Sequence, residues 1–427
     1  MSDHTQINKE APSVLMVAFH FPPAHGFSGT QRTLKFVRYL PEFGWQPLVL
    51  SANARAYPEL SDRQMAEIPD SVAVKRAFAL DAVRHFSLKG RYLRVTALPD
   101  RWSSWWLGGV ISGMRMIRRH RPRVIWSTYP IASSHLIAAT LSRLSGLPWV
   151  ADFRDAMIIH DWPADRWVRW LFSRLEPRFL RSADRVVVAN PGIHRLYSER
   201  YPEASHDRWS VVFNGYDEAD FSTPLQEEGP NPRRDRSGPL HLVHSGRLYP
   251  GVESRDPSLF LVALSRLKQA GKIDAARLQV TLRATALDDV LRPRISELGL
   301  DGLVHLKPLI PYDEALQEMQ QADGLLLFQG DGFDHMVPAK LFEYFRARLP
   351  ILPFVGVSGD TAALLRAAGF DLMAPLGDVD AIGRTTVAFL DRLDGGTFTL
   401  PPIDHVQRFS RRSATGELAT LLNSTAR

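Results

Sequence analysis

The stretch Val337-Pro-Ala-Lys-Leu-Phe-Glu-Tyr-Phe-Arg-Ala-Arg-Leu-Pro-Ile351 gathers side chains suited to holding a phosphorylated ligand. Pro338 fits the first turn of a helix. Lys340 and Glu343 then stand three residues apart on one helix face near its start. An ammonium group there suits a diphosphate, and a nearby carboxylate suits the vicinal hydroxyls of a ribose. An exposed ion pair worth roughly a few tenths of a kcal/mol fits the same spacing equally well. Upstream, Leu242-Val-His-Ser-Gly-Arg-Leu248 reads as a strand ending in Gly246-Arg247, which sets a second cation at the carboxyl edge of a sheet.

A second set lies near the start of the chain. In Phe21-Pro-Pro-Ala-His-Gly-Phe-Ser-Gly-Thr-Gln-Arg32, a strand ends at Phe19, Gly26 and Gly29 loosen a loop, and a helix opens near Thr30. Free N–H groups and the helix dipole favour an anion there, and Arg32 would add charge. A plain strand-to-helix loop fits as well, since the sequence is neither GxGxxG nor a Walker A motif. Asp152, Arg154 and Asp155 follow another strand; they could orient an acceptor hydroxyl, bind a sugar, or form an Asp–Arg pair that fixes their loop. Asp378-Val-Asp380 imitates a metal-binding Asp-x-Asp but opens a late helix, where Asp378 reads as an N-cap. The histidines show no ligand spacing such as HExxH, so no metal site is expected.

Strands and helices must alternate to carry these loops. Strands are read at Val14–Phe19, Pro47–Leu50, Val124–Tyr129, Trp149–Phe153, Arg185–Ala189 and Ser210–Phe213. Helices fall between them at Thr30–Glu42, Ala132–Ser145, Ala164–Arg181 and Gly192–Arg200. Asp217 to Pro239 breaks the alternation with four prolines, two glycines and mixed charge, which is linker composition. Strands resume at Leu240–His244, Leu278–Arg283, Val304–Lys307, Gly324–Phe328 and Ile351–Phe354, and a last helix runs from Phe409 to Asn423. This alternation is the mark of parallel α/β sheets. The expected fold is two Rossmann-like doubly wound domains facing across a cleft: residues 1–216, a linker 217–239, residues 240–403, and a C-terminal helix in 404–427 packing back on the first domain.

Composition narrows the class. With 427 residues, 45% hydrophobic and 23% charged, the chain is a globular protein of two or three domains. The absence of cysteine excludes disulfides, thiolate metal sites and a cysteine nucleophile, and fits a reducing compartment. Met1 to Ser13 has no apolar core of a signal peptide, and no apolar run approaches the roughly 18 residues of a membrane span. A cytoplasmic location, with access to the inner face of the membrane, follows as the expectation. The net charge of +6 favours anionic partners, and Arg84 to Arg123 holds ten Lys/Arg against the single acid Asp100. Within it, Arg101 to Arg121 can form one helix with Trp102, Trp106, Val110, Met114 and Ile117 on a stripe. Either an anionic membrane or the protein core could take that stripe. No nucleic-acid motif accompanies it.

Taken in order, the Phe21-Pro-Pro opening, Trp149-Val-Ala-Asp-Phe-Arg-Asp155, Phe213-Asn-Gly-Tyr-Asp217, Ser245-Gly-Arg-Leu-Tyr249 and Pro338-x-Lys340-x-x-Glu343-Tyr344 resemble the retaining nucleotide-sugar glycosyltransferases of family 4. The likeness runs from about Val14 to Leu422 and is nearest to bacterial exopolysaccharide and surface-polysaccharide enzymes of the two-domain GT-B fold. It implies transfer of a sugar from a nucleoside diphosphate donor to a lipid-linked or saccharide acceptor, without cofactor or metal. Arg247 and Lys340 would hold the diphosphate and neutralise the leaving group. Gly246 would shape that turn, Glu343 would bind the ribose, and Leu309 and Ile310 would flank the nucleobase. Gly29 would border the reacting centre, with Arg32, Asp152, Arg154 and Asp155 on the acceptor side. Such a reaction needs no strong protein base, because a donor phosphate oxygen can accept the proton.

The chain also departs from the family. Where a second glutamate often stands eight residues before Glu343, this chain has His335, so its sugar contacts differ. The lysine often found shortly after the Arg247 position is matched only by Arg255. A histidine common at the end of the strand over 124–129 is replaced by Ser127-Thr-Tyr-Pro130. These departures leave room for a non-catalytic binding subunit, and a nucleotide-sugar epimerase shares the architecture.

Overall fold

Runs such as Val14-Leu-Met-Val17 and Leu325-Leu-Leu-Phe328 are apolar without alternation, as strands buried on both faces must be. The computed structural model describes residues 11–25, 29–87, 92–160, 162–204, 206–225, 238–248, 257–398 and 400–426. Within them the chain forms two units, one ending at Asn214 and resuming at Arg411, the other spanning Gly215–Ser410.

The first unit is built on seven parallel strands: Ser13–Val17 (β1), Gln46–Ala52 (β2), Ala73–Ala77 (β3), Val124–Thr128 (β4), Trp149–Phe153 (β5), Arg185–Val188 (β6) and Trp209–Val211 (β7). Their order is β3-β2-β1-β4-β5-β6-β7. The second has five parallel strands: Leu240–Ser245 (β8), Leu278–Arg283 (β9), Val304–Lys307 (β10), Gly324–Phe328 (β11) and Ile351–Phe354 (β12). Their order is β10-β9-β8-β11-β12. Each sheet starts in the middle and reverses direction beside its first strand, so each has a switch point where loops part at the carboxyl edge. Both units are Rossmann-like. Only β3 was not expected from the sequence: Ala73-Val-Lys-Arg-Ala77 is an edge strand, and its charges hide the apolar run that marks an interior one.

Chain crossings and ends follow from specific contacts. Of the stretch 217–239 read as a linker, residues 226–237 lie outside those described. The preceding turn is held within the second unit, where Arg346 Nε donates to Glu218 at 2.7 Å and Nη2 to the Thr223 carbonyl at 2.6 Å. The last helix begins at Arg411, not Phe409, because the Phe409 ring packs against Phe342 and Phe345 of the second unit. Helix Arg411–Thr425 then buries Ala414, Leu418 and Leu422 with Phe36 and Val37 of helix Gly29–Tyr39. Trp45 Nε1 donates to Asn423 Oδ1 at 2.9 Å on the same face.

The tryptophan-rich segment turns at 101–104 and is helical over Trp105–His120. Most of its stripe belongs to the core, while Trp106 is 40% exposed. Trp102 and Trp105 are buried, Trp102 Nε1 donates to the Ala56 carbonyl at 2.8 Å, and Val110, Met114 and Ile117 pack on the same cluster. Arg118, Arg119 and Arg121 are exposed at its basic end.

Gly108 of this helix explains a residue that should weaken it. A Cβ there would fall 2.3 Å from the Phe78 carbonyl oxygen, so backbone approaches backbone and only glycine fits. Gly383, within helix Val379–Gly395, has nothing within 4 Å of that position. The same exchange should therefore have opposite signs at the two sites. Gly383→Ala should gain about 0.5–1 kcal/mol from helix propensity. Gly108→Ala should lose about 1–3 kcal/mol through overpacking. Urea unfolding of both variants checks the pair.

Candidate active site

In the second unit, the carboxyl edge of the sheet brings β8, the following turn and helix Lys340–Ala347 together. His244 is 1% exposed, and its Nδ1 donates to the Leu326 carbonyl of β11 at 3.0 Å. That leaves Nε2 to accept from Lys340 Nζ at 3.2 Å. Gly246 has φ +124°, and a Cβ on it would lie 2.9 Å from Lys340 Nζ, so glycine here serves both the turn and the close approach of the ammonium. Arg247 follows in the exposed loop. One turn into the helix, Glu343 accepts a hydrogen bond from the Tyr312 hydroxyl at 2.8 Å.

Tyr312 also links this carboxylate to the loop after β10. Leu309 is 82% exposed there and Ile310 half-buried. His335 is half-buried, its ring stacked on Phe333 with centroids 6.4 Å apart. Gln329 at the end of β11 holds that loop, donating to the Phe333 and Met336 carbonyls at 2.6 and 2.9 Å. Arg255 and Tyr249 lie outside the described residues.

In the first unit, Gly29 opens helix Gly29–Tyr39 under the guanidinium of Arg154. A Cβ on Gly29 would fall 1.9 Å from Arg154 Nη1. Arg154 donates from Nε to the Tyr129 carbonyl at 2.7 Å and from Nη2 to His20 Nδ1 at 3.4 Å. Nη1 has no hydrogen-bond partner among the described residues. Burial holds the Arg154 pKa below its usual value, and the charges of Asp155 and Asp152 partly offset this. Burial, and then the Arg154 charge, hold His20 well below the usual imidazole range, so it is neutral at pH 7. Thr30 Oγ1 and Asn190 Oδ1 are buried at helix starts on this edge without a partner among the described residues. A cation, a helix N-terminus and polar atoms in want of partners form a place for an oxygen-rich ligand. Gly26, Phe27 and Ser28 of the same loop lie outside the described residues.

Arg32 does not add charge to that place, which corrects the reading of it as a ligand cation. Its side chain is 1% exposed and grips Asp152, itself 0% exposed, through Nε and Nη2 at 2.9 and 3.1 Å. Nη1 and Nη2 also donate to the Phe213 and Val212 carbonyls at 2.9 and 3.0 Å. The Asp–Arg structural pair left open by the sequence exists, but its arginine is Arg32 and not the neighbouring Arg154. At the end of β4, Ser127 Oγ meets His135 Nδ1 at 2.8 Å inside the core, and burial presses the His135 pKa to about 3. Asp378 caps its helix by accepting from Ala381 N at 2.9 Å, and Asp380 pairs with Arg266 at 2.9 Å.

His244, Tyr312 and His20 were not singled out from the sequence. His244 stands inside the quoted strand, one residue before Ser245-Gly246, and a histidine in an interior strand was the available signal. Tyr312 and His20 gave none, since neither falls at a motif spacing.

Residues 29–215 match the model of the glycosyl transferase 4-like domain. No curated protein sequence matches the chain. Among solved structures, sucrose-phosphate synthase from Thermosynechococcus elongatus superposes with a TM-score of 0.65 at 12% identity, covering 97% of this chain and 98% of that one. The lipopolysaccharide outer core galactosyltransferase WaaB gives 0.61 at 14% identity, with 96% and 99% covered. Anabaena Alr3699/HepE in complex with UDP gives 0.61 at 13% identity, with 97% and 100% covered. At these identities the likeness is one of fold: two Rossmann-like units in the GT-B arrangement of strands.

Because Arg32 and Asp152 neutralise each other in the interior, removing one charge strands the other. Asp152→Asn should cost about 3–5 kcal/mol of stability. Chemical denaturation reads it directly, and an unchanged unfolding midpoint would show the pair to be dispensable to the fold.

Proposed function

We propose that this chain is a retaining glycosyltransferase that moves a sugar from a nucleoside diphosphate donor to a lipid-linked or saccharide acceptor in bacterial polysaccharide biosynthesis. The observation that carries it is Lys340 held by His244 against Gly246, with Glu343 one turn away beside Tyr312. A diphosphate on Lys340 and Arg247 would leave Glu343 for the ribose hydroxyls and Leu309 and Ile310 for the base. His335 would face the sugar from the loop that Gln329 holds. As the glycosidic bond breaks, negative charge grows on the leaving diphosphate, and two cations, Lys340 already anchored, would stabilise that change more than they stabilise the bound donor.

The first unit supplies the acceptor side. The Arg154 cation, the helix start at Gly29 and the carboxylate of Asp155 suit a polar, hydroxyl-bearing substrate. A donor phosphate oxygen takes the acceptor proton, so no side chain is assigned as base. We expect the reaction to proceed without metal, in the cytoplasm, as the resemblance of the sequence motifs implies. The glycosyl transferase 4-like match supports transfer, and the UDP held by the Anabaena protein makes UDP the first nucleotide to try.

A thermal-shift series with UDP, GDP, dTDP, ADP and CMP tests the donor site. One diphosphate at about 100 times its dissociation constant should add roughly 2.7 kcal/mol, and Glu343→Ala should abolish the shift. No shift with any of them would favour a binding subunit that has lost the donor site. Once the sugar donor is known, Arg247→Ala or Lys340→Ala should each lower turnover by about tenfold or more. EDTA should leave the rate unchanged; strong inhibition would sink the metal-free mechanism.

A further inference from the structure

We infer that the first unit carries a docking surface for an anionic lipid bilayer, formed by the start of helix Arg166–Ser182 and the adjoining turn Arg94–Ala97. It is a different surface from the core-packed stripe of helix Trp105–His120. Trp162, Trp167 and Trp170 are 64, 46 and 54% exposed, and Leu93 and Val95 are 73 and 71% exposed. Three half-bare indoles fall within nine residues, Trp162 just before the helix and Trp167 and Trp170 on it, while the helix's other face already buries Phe172, Phe179 and Leu180. The turn and the helix are joined: Asp165 caps the helix by accepting from Trp167 N at 2.8 Å and pairs with Arg94 at 3.3 Å.

Helical spacing orders the outer face. Trp167, Trp170, Arg174, Arg178 and Arg181 recur at intervals of three and four residues, so indoles occupy its first turns and guanidiniums the rest. Arg166 and Arg174 lie over the Trp167 and Trp170 rings at 5.3 and 5.9 Å. The carboxylates from Asp165 to Ser182 are Asp165, engaged at the cap, and Glu176, which is fully buried and paired with Arg200 at 2.8 Å. The face is thus cationic with no opposing charge of its own to spare. Indoles seat at the headgroup level of a bilayer, and arginines beside them select anionic lipid.

Position adds a consequence. Helices of a parallel α/β unit run back against their strands, so the tryptophan end of this helix lies at the carboxyl edge of the sheet, with Arg154 and Gly29. A chain docked this way would meet lipid-borne substrate at the edge where its polar ligand place is found. The inference asks nothing of the second unit and stands whether or not the donor reading does.

The test uses the full chain with phosphatidylcholine vesicles, with and without phosphatidylglycerol. Co-sedimentation with the anionic vesicles, a blue shift of tryptophan emission, and loss of both at high salt are expected. Trp167→Ala with Trp170→Ala should weaken binding about tenfold or more with the melting temperature unchanged. Arg174→Gln with Arg178→Gln should remove the preference for phosphatidylglycerol. Equal binding to neutral vesicles, no binding at low salt, or full binding by the tryptophan variant would each overturn the proposal. Displacement of the vesicles by duplex DNA, with the tryptophan variant binding that DNA unchanged, would also overturn it and leave a polyanion site.

Discussion

The guanidinium of Arg32, 1% exposed, is the constraint on which the first unit turns. A buried charge of this kind persists only when its donors are taken up, and here they reach the carboxylate at the end of β5 and two carbonyls beyond β7. One side chain therefore fixes the first turn of helix Gly29–Tyr39 against two strands far apart in sequence. The helix start is where the backbone N–H groups are free, so Arg32 sets the position of a ligand place that it does not itself enter. Arg154 can then press on Gly29 because the helix is held from below.

The second unit solves the same problem with a weaker anchor. His244 is buried in an interior strand, where its tautomer is dictated by the Leu326 carbonyl. The nitrogen left over receives Lys340. An ammonium on a four-carbon stem would otherwise sample many rotamers, and a fixed acceptor narrows them before any ligand arrives. Tyr312 does the same for Glu343 from the start of a neighbouring helix. Lys340, Glu343 and the helix start at Gly29 are thus positioned by residues one layer further in.

That layering explains what could be read in the sequence. Eleven of the twelve strands announce themselves through β-rich apolar runs, because a parallel sheet covered on both faces demands them. The edge strand β3 escapes, since it is only partly covered and carries Lys75 and Arg76 within its five residues. Lys340, Glu343, Gly246 and Arg247 were legible because a helix start, a strand end and a glycine each leave a local signature. His20, His244 and Tyr312 were not, because their roles depend on contacts made by the fold rather than on spacing. The tryptophan stripe stayed open for a related reason: amphipathic periodicity states that a helix has an apolar face, and cannot say whether core or solvent lies opposite it.

Arg32 and Arg154 show most plainly where spacing stops being informative. Asp152 is two residues from Arg154 in the chain, and local pairing would be the economical guess. The structure gives the carboxylate to Arg32 instead, 120 residues away. Arg154 is left with neutral acceptors, the Tyr129 carbonyl and His20, while Asp155 and Asp152 act on it only through their fields. A guanidinium bound to a carboxylate has spent its charge; one bound to a carbonyl and a neutral imidazole has spent two donors and kept it. The arginine whose role the sequence left open between substrate contact and structural pair is therefore the one able to meet an anion, and the one that looked like a ligand cation is what holds the edge in place.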